Sequence, residues 1–183
     1  MNVICELLLS LACLWACLIS WRDRQHWQAV GFGLIAATAL GGALLFAGLD
    51  SVKPGHQLMS GISGRIALLL IAVGRLQGIQ RQVLLMMIAA LMLWLPQPWP
   101  LAGNLLALVA IAWPGRSQHW PPAIAGALLF MFAGLVVGSQ GQWLGIARQD
   151  IYHLTLMLAA LCWGAARLNG KRSPTPASAA VGR

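Results

Sequence analysis

Acidic residues are nearly missing from this chain. Glu6, Asp23, Asp50 and Asp150 are the only four in 183 residues, and charged residues of both signs make up 9% against 59% hydrophobic ones. So little charge cannot clothe the surface of a soluble domain, and the mean hydropathy of +0.74 agrees. The 12 lysines and arginines leave a formal net charge of +8. Scattered between apolar runs, that surplus is no nucleic-acid footprint; it marks loops held to one side of a bilayer. Cysteine is sparse too. Cys5, Cys13, Cys17 and Cys162 lie inside apolar runs, with no CxxC and no Cys/His cluster at zinc spacing. They read as small buried hydrophobes rather than as a redox pair or a structural zinc site. Finally, no basic residue precedes the first apolar run: Arg22 and Arg24 follow it, while Glu6 and Trp15 lie within it. A secretory signal has the reverse pattern, so the run reads as a retained first helix.

What is present is apolar length. Seven runs stand out, at residues 2–20, 28–49, 58–74, 83–95, 101–113, 122–138 and 151–166. A helix needs about 20 residues to cross a hydrocarbon core of about 30 Å. The fourth and fifth runs are short, divided only by "PQPWP" at 96–100, and would fuse into one span if the prolines were ignored. Charge decides between the two arrangements. With seven spans and the N-terminus outside, Arg22, Arg24, Arg75, Arg81, Arg116, Arg167, Lys171, Arg172 and Arg183 face the cytoplasm, and only Lys53 and Arg148 face out. Fusing runs four and five would export the basic tail, against the positive-inside rule. The expected fold is therefore all-α: a polytopic seven-transmembrane-helix bundle over residues 1–168, N-terminus outside and C-terminus cytoplasmic. Residues 169–183, rich in Pro, Ser and Ala, are expected to form a disordered cytoplasmic tail. The chain reads as a multi-pass protein of a bacterial-type inner membrane, with the bilayer as its first partner and no nucleic acid. Trp94, Trp99, Trp113, Trp120 and Trp143 close or border runs, where indoles prefer the headgroup level. Gly41-Gly42, Gly48, Ser60/Gly64 and Gly134/Gly138 are expected to let helices approach closely.

The few ionisable residues sort by side. Glu6, Asp50, His56, Asp150 and His153 fall toward the outer face, whereas Asp23, His26 and His119 accompany inner-loop arginines and are simply solvated. Intramembrane ionisable groups are costly and tend to have functions. Asp150 and His153, in "RQDIYHLTLM", share a helix face at i, i+3. A carboxylate there can orient an imidazole for general-base chemistry, so Asp150, His153 and Glu6 are the candidate catalytic residues. The alternative is structural, with Asp150 at a helix N-terminus and His153 hydrogen-bonded inside the bundle. Arg65 lies deep in its run, roughly 13 Å along the helix from His56 at about 1.5 Å per residue. It calls for an acidic partner among Glu6, Asp50 and Asp150, or else serves as an anion clamp. Arg65, Ser60, Ser63 and Tyr152 are the candidate substrate contacts, and His153, His56 and Asp50 the candidate ligands should a metal bind. Paired histidine ligands for haem would require His56 and His153 to face each other.

Two resemblances bear on these residues. Gly61-Ile62-Ser63-Gly64 resembles the Gly-x-Ser-Gly of rhomboid-type intramembrane serine proteases, with Ser63 as nucleophile and His153 as base, although the chain has no second helix bearing His and Asn. More broadly, seven spans, an acid near the start and "DIYH" opening the last span resemble the seven-span membrane hydrolase superfamily of alkaline ceramidases and progestin/adiponectin-type receptors. That resemblance covers the whole layout. It implies a zinc ion held by a histidine of an early span and a His-x-x-x-His in span 7, acting on a lipid amide or ester. His153 matches the first histidine of that motif. Met157 stands at the second, and the span at 28–49 has no histidine, so the chain is expected to be a diverged or inactive relative. The other readings are a small-molecule or proton-linked binding or transport protein, and a structural subunit of a membrane complex.

Overall fold

The computed structural model describes residues 2–143 and 145–169, and within them one helix forms for each apolar run. These are α1 (Asn2–Arg22), α2 (His26–Phe46), α3 (Lys53–Val73), α4 (Ile79–Trp94), α5 (Trp99–Ala112), α6 (Trp120–Phe132) and α7 (Arg148–Ala166). A 3-10 turn at Asp50–Val52 leads into α3, and a π-helical turn at Ala133–Val137 extends α6. Two short strands, β1 (Gln142–Trp143) and β2 (Ile146–Ala147), pair antiparallel just ahead of α7. Prolines in the first turns of α3, α5 and α6 sit where a missing N–H costs nothing. The tail expected over 169–183 lies outside the described residues, apart from Asn169.

Four helical stretches are long and apolar enough to cross a membrane: Asn2–Arg22, His26–Phe46, Asp50–Val73 and Trp120–Val137. The chain is thus a helical membrane protein. Of the seven spans expected, those four have the length and hydropathy of a crossing helix. α4 and α5 have 16 and 14 residues, enough for roughly 24 and 21 Å at 1.5 Å per residue. α7 has 19 residues, but Arg148, Gln149, Asp150 and His153 make its first turns polar.

Small residues set the packing. α1 turns Cys5, Leu9, Ala12, Cys13 and Ala16 inward at helical spacing, burying them all, against α2 and α7. Ser10 Oγ donates to the Ala36 carbonyl at 3.0 Å, a polar tie between α1 and α2. Where a Cβ would sit on Gly31, the Ala67 carbonyl oxygen of α3 lies 2.7 Å away. Trp163 of α7 is 1% exposed. It stacks on Phe130 with centroids 5.6 Å apart and donates to the Ala123 carbonyl at 3.2 Å. Gly126 leaves the room that this indole occupies.

Several expectations change here. Gly48, Gly64, Gly134 and Gly138 face open space rather than a neighbouring helix; of the expected positions Gly41 and Gly42 do make close approaches, and further ones fall at Gly31, Gly126 and Gly164. Trp94, Trp99, Trp113 and Trp120 are exposed at helix ends, whereas Trp143 is half-buried beneath the Arg148 guanidinium, 5.9 Å from its ring centre. Among the described residues Arg65 takes no acidic partner. Its guanidinium donates to the Leu93 and Leu95 carbonyls at 2.6 and 3.1 Å, closing the end of α4, where carbonyls lack helical partners and the dipole is negative.

At the end of the bundle where α1 finishes, a polar knot joins four connections. Arg116 donates to the Ala72 carbonyl and to Asn169 Oδ1, the latter at 2.7 Å. Asn169 in turn donates to Gln28 Oε1 at 3.2 Å and accepts from Gln25 Nε2 at 2.9 Å through its carbonyl. Gly74, at φ +67°, ends α3 directly against the Asn169 side chain. Only a residue without a Cβ fits there in that conformation.

Candidate functional site

The other end of the bundle is hollow. A cavity of about 510 Å³ lies where α1, α3, α5 and α7 begin and α2 and α6 finish. Leucine, isoleucine, alanine, phenylalanine and methionine form most of its wall, and Glu6, His56, Ser60, Ser63, Asn104, Gln149, Tyr152 and His153 supply polar groups.

The centre of this site is a pair from opposite ends of the sequence. Glu6, one turn into α1, is only 3% exposed, and its Oε1 stands 3.3 Å from His153 Nδ1. The approach is off-line for a hydrogen bond, and among the described residues Nδ1 has no other partner, so the two groups touch without one. The carboxylate fits because α2 carries Gly42 beside it: a Cβ on Gly42 would lie 2.5 Å from Glu6 Oε1. Gly41, the preceding residue, faces His56 in the same way, its virtual Cβ 3.3 Å from His56 Nδ1. The two glycines thus seat one ionisable side chain each. His56 Nδ1 lies 3.1 Å from the Thr38 carbonyl oxygen. Because a carbonyl only accepts, Nδ1 is the donor in this contact.

Glu6, His56, Ser60, Ser63, Tyr152 and His153 come together around one cavity, and three expected members do not. Asp150 is buried at 4% but lines no part of the cavity. With its carboxamide turned to donate, Asn2 sits 2.7 and 3.1 Å from the two Asp150 oxygens. The partner of His153 is therefore Glu6 from α1, not Asp150 one turn back. Asp50 is exposed on the 3-10 turn before α3, and Arg65 is committed to α4.

Asn104 and Gln149 also face the cavity. Asn104 Nδ2 donates to the Gly64 carbonyl at 2.8 Å while its Oδ1 is buried without a partner. A lone amide inside the 101–113 run was the signal for it, since unsatisfied amides are costly in lipid. Gln149 adjoins Asp150 in the polar opening of α7.

The zinc set implied by the resemblance does not fit these residues. Among the described residues no three His, Cys, Asp or Glu side chains converge as metal ligands, and Met157 packs against the apolar core. Tetrahedral zinc needs about three protein groups.

Fold and site together define a helical membrane protein with an amphipathic cavity at one end, centred on a carboxylate–imidazole pair. No family model, curated protein or solved structure matches the chain.

Proposed function

We propose that the chain is a seven-span protein of a bacterial-type inner membrane, N-terminus outside, that binds an amphiphilic small molecule at its extracytoplasmic end. The observation that carries this is the cavity of about 510 Å³, walled by hydrocarbon and polar at the Glu6–His153 pair. Ligand pockets generally run from about 300 to 1,000 Å³, mostly apolar with a few placed polar groups. An apolar portion of a ligand shelters against Leu68, Leu108 and Leu156, and its polar head meets the pair. Glu6 and His153 can hold one proton between them, which links binding to protonation and makes a proton-coupled carrier or sensor the functional class.

The orientation rests on the nine cationic side chains that seven spans place inside, against two outside. α4 and α5 would then cross with help from flanking residues or a thinned bilayer. The resemblance of the sequence to ceramidase-type hydrolases favours a lipid-like ligand, and the lack of a convergent ligand triad among the described residues favours binding over metal-assisted hydrolysis.

The test uses the full chain in detergent micelles and a dansyl-labelled long-chain amine as probe. Saturable binding at one probe per chain is expected. Gly64→Phe is expected to abolish it, because Gly64 lines the cavity and has open space in front of it. Binding that is non-saturable, or that persists in Gly64→Phe, would rule out the cavity as the site.

A further inference from the structure

Charge in the cavity is one-sided. Glu6 lines its wall, and among the described residues no lysine or arginine does. The basic side chains of the lining helices α3 and α7 point elsewhere. Lys53 is exposed at the start of α3, Arg65 donates to the Leu93 and Leu95 carbonyls, and the Arg148 guanidinium lies over the Trp143 ring. Glu6 is nevertheless 3% exposed and seated between Gly42 of α2 and His153 of α7. His153 does not complete it. A buried ion pair offsets the desolvation of its charges only in good hydrogen-bonding geometry, and Nδ1 makes no hydrogen bond to the carboxylate 3.3 Å away. The cavity also reaches the lipid-facing surface. Leu101, Leu105 and Leu135 line it and are exposed on the outside of the bundle, so its apolar wall continues to where hydrocarbon chains pack.

We infer that the ligand of this cavity is a long-chain amine, its protonated head on Glu6 and its hydrocarbon chain along the leucine wall. This rests on the cavity reading above and names the chemistry of the head group. An ammonium supplies the countercharge that the wall lacks, at a depth where an unpaired carboxylate is costly. Its N–H groups donate to the carboxylate in charge-assisted hydrogen bonds, the stronger kind. A neutral head leaves Glu6 without a countercharge. An anionic head sets two like charges together and meets no cation on the wall. The opening beside Leu101 and Leu135 lets the chain arrive from the bilayer while the head passes inward to Glu6.

The experiment titrates the full-length protein in a non-ionic detergent with three probes that carry the same dansyl-labelled chain and differ only in the head: ammonium, hydroxyl or carboxylate. The ammonium probe is expected to bind at least about tenfold more tightly than the hydroxyl probe, as a hydrogen bond to a charged group allows, and the carboxylate probe to bind weakest. In Glu6→Gln the ammonium advantage is expected to vanish while the hydroxyl probe keeps its affinity, which also shows that the variant retains a folded cavity. Competition separates a bilayer amphiphile from a water-soluble amine: hexadecylamine is expected to displace the ammonium probe, and hexylamine to need at least about tenfold more, because it buries far less chain. An ammonium advantage that survives in Glu6→Gln overturns the assignment, as does equal displacement by the two amines. If the ammonium and hydroxyl probes bind equally and both are lost in Gly64→Phe, the cavity reading stands and the cationic head falls. If no probe saturates, both fall.

Discussion

A single methylene decides whether Glu6 can stand beside His153. The virtual Cβ of Gly42 lies 2.5 Å from the Glu6 oxygen, so Gly42→Ala must push the carboxylate off its seat. A backbone shift is the alternative, and α2 is packed on both sides. Alanine in place of glycine inside a helix otherwise favours folding by roughly 0.5–1 kcal/mol. The expected outcome is thus a folded protein whose cavity ligand binds about tenfold more weakly, a loss of about 1.4 kcal/mol. Unchanged affinity by titration would show that the carboxylate has no part in binding. Asp150 supplies the contrast. Its neighbour is the Asn2 carboxamide and it lies off the cavity, so Asp150→Asn is expected to leave ligand affinity within about twofold, under 0.5 kcal/mol, while Glu6→Gln weakens it more. Equal effects from the two substitutions would return Asp150 to the site. Sequence spacing favoured the Asp150–His153 pair because i, i+3 neighbours are visible along one helix. The Glu6 contact bridges 147 positions and has no local signature.

Among the elements, α4 is the least embedded: it buries only Leu85, Ala89 and Met92 and packs mainly on α3 and α5. Arg65 secures its end. Arg65→Met keeps the length of the stem but strands the Leu93 and Leu95 carbonyls, and a hydrogen bond from a charged donor is worth roughly 1.5–3 kcal/mol. Hydrogen exchange should show the last turn of α4 opening more readily, with α1 and α2 unaffected. Exchange that stays slow there would mean that the arginine does not hold α4. At the α2–α3 crossing, Gly31→Ala would set a methyl 2.7 Å from the Ala67 carbonyl oxygen. The helices must separate, at a cost of roughly 1–3 kcal/mol for overpacking, seen as a lower midpoint in thermal or denaturant unfolding. An unaltered midpoint would show the crossing to be looser than described.

For the whole molecule, the two ends have different work. One is hollow and holds the buried Glu6–His153 pair; the other is tied shut through Arg116, Asn169, Gln25 and Gln28. The sequence places Arg116 only among the inner-face cations, but the fold makes it a hub. Sidedness is tested by single cysteines in a background with Cys5, Cys13, Cys17 and Cys162 replaced. A membrane-impermeant maleimide added outside is expected to label Lys53→Cys and to spare Arg75→Cys and Arg81→Cys. Labelling of the second pair from outside would invert the proposed topology.

By itself the sequence determined that this chain is helical, that it belongs in a membrane and where its seven helices lie. Apolar runs bounded by Pro, Gly and charge dictate all three, whatever their partners. It could not determine which face of each helix turns inward. In a bilayer both faces are apolar: Ala43 is buried while Leu44 is exposed, so hydrophobic periodicity carries little of that information. Only the tertiary structure brought Glu6 to His153, gave Arg65 to α4 and set Asp150 aside. Those pairings depend on helix rotation and close approach at glycines, which are long-range packing properties that no local pattern encodes.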